Sequence, residues 1–311
     1  MLLPTVEDLE MNLRETLVVK AEVLMLTVGG ELGVNMAAQL TGETFADGDL
    51  PTDRYDLQNL PSIAVEHLSI FETIRGLHRY IDSRSFGYSP GDGYIDRNHI
   101  QQNYLDLLEL YLSALPEMTY GGFDWGPCRH GALRELLKCG QAWHNFICVL
   151  GEALDGDLIQ DYLTATDLAL IAQIEVRSIR NLIGPRKQLR SHDQTKMRKT
   201  SVSERGFSVV NSFDAFNWLA GRKTNPFPLL NRGLIAEKLS MIENNGNRAR
   251  AALLSSFVLG KTREDISREL GVGVDVLFRA EDGTSDDGLS LAIAEYAASL
   301  DRERTPRTAP T

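Results

Sequence analysis

Apolar residues recur at helical spacing along most of this chain, which predicts a mostly α-helical protein. Thr5, with Asp8 three residues later, predicts a capping box at the start of the first helix, and Gly29 predicts that helix's end. No internal repeat and no low-complexity tract is evident. Further helices are predicted over 62–82, 95–115 and 130–153.

The composition excludes several classes of protein. Of 311 residues, 43% are hydrophobic and 24% are charged, so the chain is not disordered throughout. Its cysteines, Cys128, Cys139 and Cys148, lie in one short stretch and favour a reducing compartment over a disulfide framework. The start, MLLPTVEDLE, lacks the basic residues of a signal peptide, and no apolar run is long enough to span a bilayer. We therefore expect a cytoplasmic protein that does not span a membrane.

Charge is unevenly distributed along the chain. The net charge of -11 excludes a uniformly basic surface for nucleic acid, but it does not exclude a basic patch. Residues 1–160 carry 10 Lys or Arg against 24 Asp or Glu, whereas residues 161–250 carry 15 against 8. The remaining residues, 251–311, carry 7 against 11. The basic charge is densest over 177–205, and this segment coincides with the most informative pattern in the sequence.

That pattern is a pair of short helices in LTATDLALIAQIEVRSIRNLI, residues 163–183. A first helix over about 166–172 would bury Leu168, Ile171 and Ala172, and a break at Gln173–Glu175 would follow it. The second helix, over 176–183, would bury Ile179, Leu182 and Ile183. The residues then left facing outward are Val176, Arg177, Arg180 and Asn181. Such a helix-turn-helix presents its second helix to the major groove, where Arg can bind guanine and Asn can bind adenine.

A strand-rich segment and a third helix follow. Residues 189–192 and 206–210 are predicted strands, with a basic polar stretch between them. A helix over 212–222 would start with Ser212 as its N-cap and pack Phe213, Phe216, Trp218 and Leu219. Helix, turn, helix, basic two-stranded wing and a helix ending in WLAGR together resemble the winged helix-turn-helix of the MerR and excisionase type.

The resemblance covers about 60 residues, and it rests on Ala169, Arg177, Ser178, Ile179, Leu182 and the Trp218–Leu219 pair. Gln173 departs from it, because glycine is usual at that turn, and so does the acidic Glu175 at the N-cap of the second helix. The wing is also longer than usual. The resemblance implies binding to double-stranded DNA, with base contacts from the second helix and phosphate contacts from the wing. The residues assigned to DNA are Arg177, Ser178, Arg180, Asn181, Arg186, Lys187, Arg190, Lys196, Arg198 and Lys199.

A weaker candidate lies at 250–281. Thr262 with Asp265 predicts another capping box, Gly271 a turn and 274–281 a further helix, again of helix-turn-helix type. Acidic residues along this last helix would oppose phosphate, so direct DNA contact and a packing or oligomerisation role both remain open. The acids are Asp275, Glu281 and Asp282, with Arg279 the only base.

Taken together, the patterns predict four segments. An acidic helical domain at 1–158 would mediate oligomerisation or partner binding, and a winged helix-turn-helix would occupy 159–223. A helical, helix-turn-helix-like region would cover 224–300, and 301–311 would be disordered. The predicted function is a sequence-specific transcriptional regulator of prokaryotic type, without catalytic activity, cofactor or metal. Its expected partners are double-stranded DNA, a second copy of itself, and RNA polymerase or another regulator.

Two other functions stay open. One is a DNA-architectural or recombination factor, which would act without transcription. The other is an enzyme or ligand-binding protein with its site in the N-terminal region, around the histidines. Against a metal site, the chain lacks the short CxxC and HExxH spacings. The histidines concerned are His67, His78, His130 and His144.

Overall fold

The computed structural model describes residues 3–45, 51, 63–83, 94–115, 130–155, 162–183, 199–200, 209–222 and 248–304. Within these residues the chain forms twelve helices and three short strands, so the prediction of a mostly α fold is confirmed. The chain divides into two compact units, one made of Leu3–Asp82 with Tyr94–Gln141 and the other mainly of Ala142–Thr311. The domain boundaries predicted from the sequence stay predictions. None of the described helices is both long and apolar enough to cross a membrane.

The N-terminal unit begins with two helices in direct succession. Helix α1 spans Val6–Val28, and Thr5 caps it as predicted, its hydroxyl accepting from the Asp8 amide at 3.1 Å. Helix α2, Gly30–Thr41, follows immediately and was not predicted. Gly33 is needed where the two helices meet, because a Cβ there would lie 3.2 Å from the Leu24 carbonyl oxygen.

Three further helices contribute to this unit. Helix α3 is Ser69–Ser83, so it begins later than the predicted start at residue 62. Ile63 is nevertheless buried, although it precedes this helix in the sequence. Its carbonyl oxygen accepts a hydrogen bond from Arg14 Nε at 2.9 Å. Helix α4 spans Tyr94–Ser113 and helix α5 spans Ala132–Asp155, both close to prediction. The division between the two units falls within α5.

The second unit contains a small sheet and a pair of short helices. Strand β1, Tyr162–Thr164, leads directly into helix α6, Ala165–Ile171, which is followed by helix α7, Val176–Ile183. Strand β2 is Lys199–Thr200 and strand β3 is Val209–Asn211. The three strands are antiparallel in the order β1–β3–β2, with buried Leu163 opposite buried Val210.

The predicted strands are corrected in part. The strand predicted at 206–210 exists but covers Val209–Asn211. The predicted strand at 189–192 lies outside the described residues, and β2 falls in the stretch that was predicted to connect the two strands. Strand β1 was missed, because three residues are too few to show an alternating pattern.

The unit is completed by five helices, α8 to α12. They span Ser212–Ala220, Arg248–Val258, Arg263–Leu270, Val274–Glu281 and Asp287–Arg304. Ser212 is not the N-cap of α8, as predicted, but its first residue. Asn211 is the N-cap, and its side-chain oxygen accepts from the Phe213 amide at 2.9 Å. Every residue of α8 is buried, including the predicted aromatic residues, so α8 lies at the centre of this unit.

Candidate nucleic-acid interface

Helix α6 is anchored at its start by a capping box. The Thr164 hydroxyl accepts from the Asp167 amide at 3.1 Å and donates to the Asp167 carboxylate at 2.7 Å. Burial raises the pKa of Asp167, although hydrogen bonds from Thr164 and Asn145 act in the opposite direction. This box was not predicted, although its T-x-x-D spacing is the same as at Thr5 and is a signal of a helix start.

The turn after α6 is tight and left-handed. Gln173 has a φ of 53°, and it is the only non-glycine residue with positive φ in the described part of the chain. The Ile174 amide closes the turn by donating to the Ala169 carbonyl at 2.9 Å. A Cβ in this region of backbone conformation costs free energy, so glycine would be less strained than Gln173 at this position.

Substitutions at the left-handed turn residues of α6–α7 and of α10–α11 should therefore have opposite effects on the free energy of unfolding. Gln173→Gly should raise the free energy of unfolding by about 0.5–1 kcal/mol, because the relief of left-handed strain exceeds the added entropy of the unfolded chain. Gly271, with a φ of 67° and open space around its missing Cβ, is the matched position in α10–α11. Gly271→Gln should lower the free energy of unfolding by a similar amount. Urea unfolding of both variants checks this, and destabilisation by Gln173→Gly would contradict it.

Helix α7 has one buried and one exposed face. Ile179 is fully buried, as predicted, whereas Leu182, predicted to be buried, and Val176, predicted to face outward, are both half-buried. The predicted DNA-facing residues are all exposed: Arg177, Ser178, Arg180 and Asn181. Within the described residues, neither arginine of this helix takes part in an ion pair or a side-chain hydrogen bond. Two guanidinium groups, a hydroxyl and an amide are therefore presented together to solvent.

Of the other predicted DNA-binding residues, Lys199 lies within the described part of the chain. The backbone of Lys199 begins β2, where it pairs with Val210. The remaining five lie outside the described residues: Arg186, Lys187, Arg190, Lys196 and Arg198. The structure thus brings together the four residues of α7 and leaves the wing assignments as predictions.

Helix α8 is a buried helix of the same unit. Its Phe216 packs against Phe146 of α5, with ring centroids 5.3 Å apart. At its end, the Arg222 guanidinium lies over the Trp218 ring, 4.7 Å from the centroid. The aromatic residues of the predicted third helix are therefore core residues.

The second helix pair, α10–α11, contains a buried charge cluster that the sequence analysis missed. Arg263 is only 2% exposed, and its guanidinium contacts Asp214 at 2.7 Å and also binds Glu281. Glu281 was predicted to line the outer face of α11, and that prediction is wrong, because the carboxylate turns inward to Arg263. A sequence signal did exist, since Asp214 and Asn217 are polar residues in an otherwise apolar helix. Three predicted features of this segment are confirmed: the Thr262–Asp265 capping box, the turn at Gly271 and the helix over 274–281.

Comparisons with protein-family models, curated proteins and solved structures find no match to this chain.

Two of the four histidines named for the enzyme or ligand-binding alternative contact other groups of the protein. His78 Nε2 lies 3.0 Å from the Pro4 carbonyl oxygen, and His144 Nε2 lies 3.6 Å from Cys148 Sγ. Burial raises the pKa of Cys139 to about 11, so its thiol stays protonated at neutral pH. Over the described ranges, no three His, Cys, Asp or Glu side chains are grouped as a metal would require. The enzyme and ligand-binding alternatives remain untested by these contacts.

Proposed function

We propose that this protein is a sequence-specific, double-stranded-DNA-binding transcriptional regulator of prokaryotic type that acts in the cytoplasm. The observation that carries the proposal is the outer face of α7, where Arg177, Ser178, Arg180 and Asn181 are exposed opposite buried Ile179. In the proposed complex, α7 lies in the major groove. Arg177 and Arg180 can each bind guanine O6 and N7, and Asn181 can bind adenine.

The order of elements supports a winged helix-turn-helix. Helices α6 and α7 stand between β1 and β2, and the β2–β3 ladder occupies the place of a wing. In this proposal the Lys and Arg side chains of the wing contact the phosphate backbone on either side of the groove. Phosphate contacts would supply affinity and register, while α7 would supply sequence discrimination.

A direct test is selection of duplexes from a random pool by the purified full chain, followed by binding measurements on the enriched sequence. We expect a defined motif to emerge, and an unselective outcome would contradict the proposal. Mapping bound sites in the native host would then show whether they lie at promoters, as a regulator that contacts RNA polymerase requires. Binding sites unrelated to transcription would instead support an architectural or recombination role.

Binding should also weaken steeply with salt. Each phosphate contact releases counterions, and a protein with 6–10 such contacts loses roughly 10³–10⁵ in affinity between 50 and 200 mM salt. The predicted basic residues would provide contacts of this kind, so we expect at least roughly a tenfold loss over the same range. Fluorescence anisotropy on the selected duplex measures it. An affinity that barely changes would show that the basic segment is not the binding surface.

A homodimer is the proposed active form. One winged module spans few base pairs, and symmetric pairing doubles the contacts. Helix α4 has apolar side chains on its surface, since Leu107 and Leu110 are 49% and 66% exposed. Light scattering at micromolar concentration should give about twice the chain mass of 34.6 kDa. A monomer both with and without DNA would contradict this prediction.

A further inference from the structure

The two helix pairs of the second unit follow the same local plan. Each begins with a threonine N-cap bonded to an aspartate three residues on, passes a left-handed residue and ends in an eight-residue helix with identical spacing. We name Thr164–Ile183 the first helix pair and Thr262–Glu281 the second helix pair. The sequence showed no repeat because few side chains agree between them.

Backbone hydrogen bonds confirm the correspondence. The Ile174 amide donates to the Ala169 carbonyl at 2.9 Å, and at the matching positions the Val272 amide donates to the Ser267 carbonyl at 3.1 Å. The central inward residue of the second helix is fully buried in both pairs. The two pairs are thus two versions of one supersecondary structure in one chain.

The outer faces, however, have different chemistry. The positions that match Arg177, Ser178, Arg180 and Asn181 are Asp275, Val276, Phe278 and Arg279. Asp275 stands where the first helix pair has Arg177, and Val276 and Phe278 are half-buried. Asp275 would repel phosphate, and the two apolar side chains offer no hydrogen bonds to base edges. The outer face of the second helix pair therefore offers one guanidinium, that of Arg279, where the first offers two guanidinium groups, a hydroxyl and an amide.

One position in the second helix pair has gained a contact instead. Arg263 occupies the place of Ala165, and both residues are buried. The Arg263 backbone amide donates to Asn217 Oδ1 at 2.8 Å, while its guanidinium binds Asp214, and both partners lie on α8. The same guanidinium binds Glu281, so a single side chain joins α8 to both ends of the second helix pair.

Helix α8 is connected to the first helix pair through the small sheet. It follows β3 without a break, β3 pairs with β1, and β1 runs directly into α6. The position of α8 therefore determines the position of β1, the strand that leads directly into α6.

We propose that the second helix pair supports the first without binding DNA itself, and that Arg263 is a positioning residue for α7. The proposal rests on the proposed DNA-binding function. It means that each chain has one DNA-contacting helix, whose orientation depends on a buried ion cluster away from the DNA surface.

The test uses the full chain with the charges removed together, as Asp214→Asn, Arg263→Met and Glu281→Gln. Removing the three charges together leaves none of them buried without its partner, so this variant should cost less stability than loss of Arg263 alone and separates positioning from folding. We expect parent-like circular dichroism but faster hydrogen exchange across 165–183. Discrimination between the selected and a scrambled duplex should fall by roughly 2- to 30-fold, with little change in affinity for the scrambled one. A folded triple variant with parent-like exchange and discrimination would overturn the proposal.

Two further arms keep the test decisive. If the triple variant does not fold, Arg263→Lys keeps the charge but cannot span both carboxylates, and the same expectations and the same overturning result apply to it. Asp275→Ala with Arg279→Ala should leave affinity and discrimination unchanged, and a loss there would show that the second helix pair binds DNA. If the parent selects no duplex, the proposed function fails, while hydrogen exchange still reports whether Arg263 holds α7.

Discussion

Replacing Arg263 with methionine alone should lower the free energy of unfolding by about 3–5 kcal/mol, because two buried carboxylates would lose their common cation. Asp214 and Glu281 are both almost fully buried, and Arg263 contacts both. Burial on its own would lower the pKa of Arg263, but the hydrogen bonds and charges of Glu281 and Asp214 outweigh it and raise the pKa. The folded protein therefore holds a cation at this position, and methionine cannot replace it.

Urea unfolding followed by tryptophan fluorescence measures this effect, since Trp143 and Trp218 lie in the same unit as Arg263. The matched control is Arg268→Met. Arg268 pairs with Asp265 at 3.2 Å, but its side chain is 72% exposed. An exposed pair of this kind contributes at most about 1 kcal/mol. Equal losses in the two variants would contradict the view that burial makes the Arg263 cluster important.

The second large effect concerns DNA discrimination. Arg177→Ala and Arg180→Ala should each reduce the preference for the selected duplex by about 1–3 kcal/mol, if each guanidinium forms two hydrogen bonds with a guanine. Folding should be little changed, because both side chains are exposed. Affinity for scrambled DNA should fall much less, since the remaining Lys and Arg side chains would still contact phosphates.

Competition binding with selected and scrambled duplexes measures the preference, and thermal unfolding shows that the variants are intact. Arg75→Ala is a suitable control, because Arg75 is an exposed arginine on α3 in the other unit. If both α7 variants keep the parent's discrimination, base recognition lies elsewhere and α7 is not the recognition helix.

Local sequence was sufficient to predict several features of the second unit. Helix α7 was predicted at its observed bounds, and its exposed residues follow from the helical period around Ile179. Capping at Thr5 and Thr262 and the turn at Gly271 were predicted for the same reason. Each of these features depends on residues within one or two helical turns, so the determining contacts lie close together in the sequence.

Other features were decided only by the tertiary structure. Strand β1 depends on pairing with β3, and a three-residue segment does not show that partner in its own pattern. Glu281 looked like a surface acid, because its sequence neighbours do not include Arg263, which neutralises it from the start of another helix. Both helix pairs were predicted to be of helix-turn-helix type, but their identical spacing became visible only in the backbone hydrogen bonds, because few side chains agree between them. The sequence by itself determined the caps at Thr5 and Thr262, the bounds of α7 and the turn at Gly271, whereas long-range pairing decided which charged side chains are buried, because burial depends on partners far away in the chain.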